Sequence, residues 1–234
     1  MTFTAKQLKK AARIILVGAP GVGKGTQTER LLSRFPELAS ISSGDLLREN
    51  VRKKTPLGLE AEATIQAGNL VPDSMILNLI SSEFKTRNWF SPSPSASVSP
   101  SASFILDGFP RTASQATSLD SLVPINFVVH LVTPPSIILS RIASRWVHEP
   151  SGRVYNTDFN APKVPGKDDV TGEALTQRED DSIGTWKQRL HKFEETSKAL
   201  LQHYQSKGCL WRVEGNSSDE ITPKLLAEFE RKFC

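Results

Sequence analysis

The nine residues GAPGVGKGT, at positions 18–26, constrain this chain more than any other stretch. Glycines at 18, 21, 23 and 25 let backbone N–H groups converge on an anion at a helix start, where the helix dipole adds to the attraction. Lys24 supplies a mobile positive charge. The flanks fit: RIILVG reads as a buried strand, and TQTERLLSRF sets Leu31, Leu32 and Phe35 on one helical stripe. Strand, glycine loop and helix together are the context in which such a loop binds a phosphate chain, with Lys24 reaching the β- and γ-phosphates. One position departs from the usual loop. Gly25 stands where a Ser or Thr hydroxyl commonly helps to hold magnesium, and Thr26 is turned about 100° from it on a helix. Mg²⁺ must then be held mainly by phosphate oxygens and water. Asp107, directly after the apolar run FIL, is the carboxylate placed to orient that water, because ligands of such sheets sit beyond the carboxyl ends of the strands.

The apolar runs FILDG, NFVVHLV and LWRVEG alternate with the helical patterns SIILSRIASR, IGTWKQRLHKFEETSKALLQHYQ and PKLLAEFERKF. That alternation predicts an α/β fold of the phosphate-loop type, a parallel five-stranded sheet with helices on both faces. Two segments break it. Residues 42–71 read as helical, stopping at Gly68 as at a C-terminal cap, and residues 144–181 are rich in Pro, Gly, Asp and Lys. The expected division is a core of residues 1–41, 72–143 and 182–234, with a helical insertion at 42–71 and a small lid at 144–181. SPSPSASVSPSAS, at 91–103, is low-complexity sequence that reads as a surface loop without chemistry.

Composition excludes several function classes. Lys and Arg total 29 against 25 acids, a net charge of +4 too mild and dispersed to imply a nucleic-acid partner. No apolar run approaches bilayer-spanning length, so no membrane partner is expected. Cys209 and Cys234 have no paired spacing that suggests a disulfide framework or a zinc site. The opening MTFTAKQLKKAAR carries four basic residues and no acid, which fits either an organelle-targeting segment or a solvated tail.

Arginine placement says more. Arg141 and Arg145 lie four apart in one helical pattern, where like charges cost an isolated helix about 0.2–0.5 kcal/mol and an anion between them reverses the sign. Arg178 and Arg189 align if one helix covers both, and Arg48 and Arg111 follow probable element ends. Six guanidinium groups beside a phosphate loop favour a site holding more negative charge than one nucleotide brings. Such a site serves transfer between two phosphates, where the acceptor is already ionised and needs no protein base.

The motifs GAPGVGKGTQ, SSGDLLR, GNLVPD, LDGFPRTASQ, SGRVYN and DDVTGEALTQRED stand in the order and spacing of the adenylate kinase family, which the chain resembles from about Arg13 onward. The resemblance implies a monomer with a core, an AMP-binding insertion and a closing lid. It implies an AMP site of Ser43, Arg48, Asn69, Leu70, Val71, Gly108, Phe109, Pro110, Arg111 and Gln115, with Arg178 and Arg189 between the nucleotides. It implies a triphosphate site of Gly21, Val22, Gly23, Lys24, Gly25, Thr26, Arg141, Arg145, Val154, Tyr155 and Ser217, and makes Lys24, Asp107, Arg111, Arg145, Arg178 and Arg189 the catalytic set. Within the family, SRWVHEPSGRVYN and GEALTQREDD look most like the mitochondrial GTP:AMP phosphotransferases. That likeness implies a GTP (or ITP) donor and the mitochondrial matrix, with an ATP-preferring enzyme and the cytoplasm as alternatives. Some lids of the family hold zinc through cysteines; here the matching positions are His148, Ser151, Asp168 and Thr171, which predicts a hydrogen-bonded cluster and no structural zinc. Asn69 and Ser217 replace residues that are often lysine in the family.

Two rival readings are a GTP-binding switch and an inactive interaction protein of the same fold. The switch lacks an Asn-Lys-x-Asp motif and has no need of six arginines, and the inactive form is opposed by charged catalytic positions that are all filled.

Overall fold

The computed structural model describes residues 7–67, 69–89, 102–157, 160–177 and 182–234. The expected cap at Gly68, most of the low-complexity loop and Arg178 lie outside the described residues. In chain order the described elements begin with β1 (Arg13–Val17), α1 (Lys24–Arg34), β2 (Ala39–Ser42), α2 (Ser43–Arg52), α3 (Pro56–Gln66), α4 (Asp73–Thr86) and β3 (Phe104–Asp107). They continue with α5 (Ala113–Leu122), β4 (Phe127–Val132), α6 (Pro135–Ala143), β5 (Arg145–His148), β6 (Arg153–Asn156), α7 (Ile183–Ser206), β7 (Leu210–Glu214) and α8 (Ser218–Phe233).

A five-stranded sheet runs β2-β3-β1-β4-β7 with every pairing parallel. The sequence pattern explains why its middle is buried on both faces. In β1, Ile15 and Val17 join one apolar cluster and Ile14 and Leu16 the other; β3 divides Leu106 from Ile105 in the same way, and β4 divides Val128 from Val129. Ile80 and Phe84 of α4, Leu119 of α5 and Tyr204 of α7 cover the first face. Leu31 of α1, Ile138 of α6 and Phe229 of α8 cover the second. Because all five strands point the same way, their carboxyl ends make one rim, and the loops after β1 and β3 meet there.

β2 was not legible as a strand. Its sequence, ASIS, buries only Ile41, and its pairing to β3 at the sheet edge rests on backbone hydrogen bonds that leave no side-chain signature.

The helical insertion is two capped helices. Ser42 Oγ accepts from Asp45 N at the start of α2, and Thr55 Oγ1 accepts from Gly58 N at the start of α3, with Pro56 in its first turn. The two helices cross closely at Gly58, where a Cβ would lie 2.1 Å from the Asn50 carbonyl oxygen.

One expectation is corrected. The pattern SIILSRIASR suggested a helix carrying both Arg141 and Arg145, but α6 ends at Ala143 and Arg145 opens β5. β5 and β6 form a two-stranded antiparallel sheet with Trp146 opposite Tyr155 and Val147 opposite Val154. Cross-strand aromatic and β-branched pairs hold that hairpin better than one further helical turn would. The two arginines therefore approach the rim from different elements.

Candidate nucleotide site

The phosphate loop lies between β1 and α1 and is shaped from its own backbone. Gly23 precedes α1 with φ of 104° and Gly21 has φ of 85°, values that an L side chain rarely adopts. Space is also short at Gly21, where a Cβ would stand 2.7 Å from Ile142 of α6. Two tethers hold the loop. The Trp186 indole N–H of α7 donates to the Pro20 carbonyl at 3.0 Å. Arg141 of α6 donates to the Val22 carbonyl at 3.2 Å and to the Asn216 carbonyl at 2.7 Å, joining the loop to the turn between β7 and α8. Ser217 of that turn caps α8, its hydroxyl accepting from Glu220 N. Gly25 and Thr26 occupy the first turn of α1.

Lys24 folds back on the loop, its ammonium donating to the carbonyls of Gly18 at 2.8 Å and Ala19 at 3.1 Å. Its pKa is lowered by burial first; the Asp107 carboxylate opposes that shift, while Arg111 and Arg145 add to it. Asp107, the last residue of β3, has its pKa raised by burial, opposed first by Lys24 and then by Arg111 and Arg48. Lys24, Asp107, Arg111 and Arg145, which come from α1, β3, the turn after it and β5, thus share one electrostatic neighbourhood. A buried lysine whose charge these arginines disfavour gains from a polyanion placed among them.

Beside this group opens a cleft walled by α2, α3, α7 and the loops after β1 and β3. Lys24, Ser43, Arg48, Asn69, Leu70, Val71, Gly108, Pro110, Arg111, Gln115 and Arg189 all line it. The sequence expectations for the acceptor side therefore fall on one surface. Arg48 is ion-paired with Asp45 one turn away. Arg111 bends back, its Nε donating to the Gly108 carbonyl at 2.7 Å. Arg189 reaches from α7 to the Ile65 carbonyl of α3 at 3.5 Å. The Ser43 hydroxyl is buried with no hydrogen-bond partner among the described residues, which leaves it available to a ligand.

Other expected residues stand elsewhere. Phe109 is 1% exposed and its side chain belongs to the core, so only its backbone reaches the site, before a cis Phe109–Pro110 peptide. The Tyr155 side chain is turned into the lid, its hydroxyl donating to Asp168 at 2.9 Å and accepting from Asp169 N at 2.8 Å. Val154 is half-exposed on the same hairpin.

The lid positions form the expected hydrogen-bonded cluster. His148 Nδ1 meets Ser151 Oγ at 2.7 Å, and Thr171 Oγ1 donates to Asp168 at 3.0 Å. Two partners were not anticipated: Arg153, which grips both oxygens of Asp168, and Glu173, 2.6 Å from His148 Nε2. Among the described residues no group of three or more His, Cys, Asp or Glu is placed to hold a metal ion.

Reasoning from motifs also missed the apolar wall. Leu47, Ile65, Ile76, Phe193, Thr196 and Leu200 line the cleft with Arg189. The signal was present for α7, because Arg189, Phe193, Thr196 and Leu200 recur at spacings of three and four and so share one helix face.

Comparison with known proteins gives the same picture. The family model described as adenylate kinase matches residues 16–209. A Saccharomyces cerevisiae protein named "GTP:AMP phosphotransferase, mitochondrial" is 47% identical over 241 residues, covering 100% of both chains. A Drosophila melanogaster protein of the same name is 40% identical, covering 92% of this chain and 94% of its own. An "Adenylate kinase" of Buchnera aphidicola is 42% identical, covering 82% of this chain and 85% of its own.

Proposed function

The chain belongs to the adenylate kinase family and is a nucleoside monophosphate kinase, and on that premise we propose that it moves the terminal phosphoryl group from GTP to AMP. The observation that carries the reading is the shared wall of the cleft, on which Lys24 of the phosphate loop faces Arg48, Arg111, Gln115 and Arg189. The GTP donor is supported by the names of the yeast and fly relatives. ITP, with the same 6-oxo edge, is the expected second donor.

In this reading AMP occupies the cleft. Its base rests on the apolar wall of Leu47, Ile65 and Ile76 and meets the Gln115 amide, and its phosphate meets Arg48, Arg111 and Arg189. The Ser43 hydroxyl and the backbone of residues 69–71 complete the contacts. The triphosphate lies along the loop from Gly21 to Thr26, between Arg141 and the lid hairpin, with backbone from Val154, Tyr155 and Ser217 around it. Both phosphates are anionic at neutral pH, so attack needs alignment and charge neutralisation rather than a base. Lys24 exchanges its two carbonyl partners for phosphate oxygens and follows the moving group with Arg145. Arg111, Arg178 and Arg189 neutralise the oxygens around it. Magnesium enters with the donor as part of that substrate; the chain offers it one carboxylate, Asp107, fit to hold its water rather than the ion. Closure of residues 144–181 over the donor, and of 42–71 over AMP, excludes the water that would otherwise take the phosphoryl group.

The enzyme is proposed to act as a monomer in the mitochondrial matrix; the relatives' names and the basic first stretch support the mitochondrial part of that reading. Coupled assays with AMP and either GTP or ATP test the proposal. Transfer with neither overturns the kinase reading, and a higher kcat/KM with ATP overturns only the choice of donor.

A further inference from the structure

At the back of the acceptor cleft the N-termini of α4 and α5 meet, and three residues there form a closed arrangement. The Gln115 side chain, 3% exposed, accepts at Oε1 from the Arg111 backbone N–H at 2.7 Å. Its Nε2 donates to Asp73 Oδ1 at 2.7 Å. The other carboxylate oxygen of Asp73 accepts from Ser114 Oγ at 2.6 Å, and Ser114 is 2.9 Å from Thr112 Oγ1. Both oxygens of Asp73 are thereby engaged on α5 although Asp73 itself opens α4.

An amide is nearly symmetric in shape and can turn over, and only its partners decide which end is oxygen. Here they decide it twice. Turned over, Gln115 would set an N–H against the Arg111 N–H and its oxygen against the Asp73 carboxylate. We infer that Asp73 is a positioning residue that fixes the Gln115 amide, so that the acceptor site takes a 6-aminopurine and refuses a 6-oxopurine. The inference rests on the acceptor-site reading above. With the orientation fixed, Gln115 offers the base one remaining N–H donor and one oxygen lone pair in a set order. A 6-aminopurine presents an acceptor ring nitrogen beside a donor amino group. A 6-oxopurine presents the reverse, a donor N1–H beside an acceptor oxygen, and pairs with the amide only if the amide turns over. Asp73 thus acts through Gln115 and need not touch the nucleotide.

The test compares AMP with IMP as acceptors, under one saturating GTP concentration, for the parent, Asp73→Ala, Asp73→Asn and Gln115→Ala enzymes. Asp73→Ala is expected to raise KM for AMP and to shift the ratio of kcat/KM between IMP and AMP toward IMP, each by about tenfold, because one of the two groups that order the amide is lost. KM for GTP, measured separately by varying GTP at saturating AMP, should not move. Asp73→Asn should restore the parental ratio: its oxygen still accepts from Gln115, and its amino group donates to Ser114, whose hydroxyl then turns to Thr112. A purely structural role for Asp73 would lower thermal stability and leave the IMP:AMP ratio at the parental value, and that result overturns the inference. So does an Asp73→Asn enzyme as relaxed as Asp73→Ala. Gln115→Ala separates the two levels. If it leaves KM for AMP unchanged, the acceptor-site reading itself falls; if it raises KM while Asp73→Ala keeps the parental ratio, only the positioning role falls.

Discussion

Charge is handled differently in the cleft and in the lid. Asp168 in the lid is 2% exposed, and six donors converge on it: two from Arg153, the Tyr155 hydroxyl, the Thr171 hydroxyl and the backbone N–H groups of Val170 and Thr171. In the cleft, Lys24 and Arg111 donate to neutral backbone carbonyls, and the Ser43 hydroxyl has no hydrogen-bond partner among the described residues. A charge that a folded chain has saturated with opposite charge is committed to structure. One parked on carbonyls can be re-paired with a phosphate at little cost, since charge-assisted bonds are about twice as strong as neutral ones. Partner type therefore distinguishes Asp168 of the hairpin region from Lys24 of the phosphate loop, while Arg48 of the cleft stands between them, paired with Asp45.

The sharpest way to break this comparison is to remove Lys24. Lys24→Ala is expected to lower kcat/KM by about 10³-fold or more, by analogy with other cations that neutralise a transferring phosphoryl group, while AMP affinity measured by titration stays within about threefold. A loss confined to AMP affinity would place Lys24 in the wrong half of the site. Arg145→Ala comes next. Arg145 starts the lid hairpin yet lies within the field of Lys24, so kcat should fall about 10²-fold with little change in AMP binding. Activity equal to the parent would remove Arg145 from the transfer step.

Much of the polar lining of the cleft could be read before the fold was seen, and the exceptions have physical causes. The phosphate loop was legible because glycine spacing, a buried strand and an amphipathic helix coincide within about twenty residues. Ser43 was legible only through motif resemblance; Arg48 and Arg111 stood out only as members of a set of six, since a lone arginine on a chain is ordinarily a solvated one. β2 was lost because an edge strand of ASIS carries almost no apolar alternation. Arg145 was given to the wrong element because SIILSRIASR keeps helical spacing to its end, whereas β5, which Arg145 opens, is set by pairing with β6, as where Trp146 lies opposite Tyr155. Asp73 was not singled out, because its partner Gln115 is 42 residues away and nothing local announces it.

A change in the lid should have a smaller and more localised effect. The Arg153 guanidinium and the other donors hold Asp168 well below the usual carboxylate range. Its folded pKa is thus lower than its unfolded value of about 3.9, so the stability it lends is complete above that value and drains away as pH falls below it. Trp146 lies in the hairpin, and in a variant with Phe at the other three tryptophans its emission reports on the lid alone. Acid titration below about pH 4 should loosen the lid in the parent. Asp168→Asn should loosen it at neutral pH and flatten the acid response. An unchanged acid response in that variant would mean that the saturated charge does not hold the lid.

The smallest expected effect answers the oddity in the phosphate loop. Gly25 is the second residue of α1, its φ is not in the left-handed region, and a Cβ built there meets nothing within 4 Å. Neither backbone strain nor packing requires glycine. A helical glycine costs about 0.5–1 kcal/mol relative to alanine, so Gly25→Ala should stabilise the protein by up to that amount and raise Tm by about 2–4 °C. If transfer by the more stable enzyme falls and KM for the donor rises, the glycine serves the approach of phosphate to backbone N–H groups. The donor half of the site would then be built on main chain where the acceptor half is built on side chains. If transfer is untouched, the loop has no need of glycine at this position and that distinction between the two halves fails.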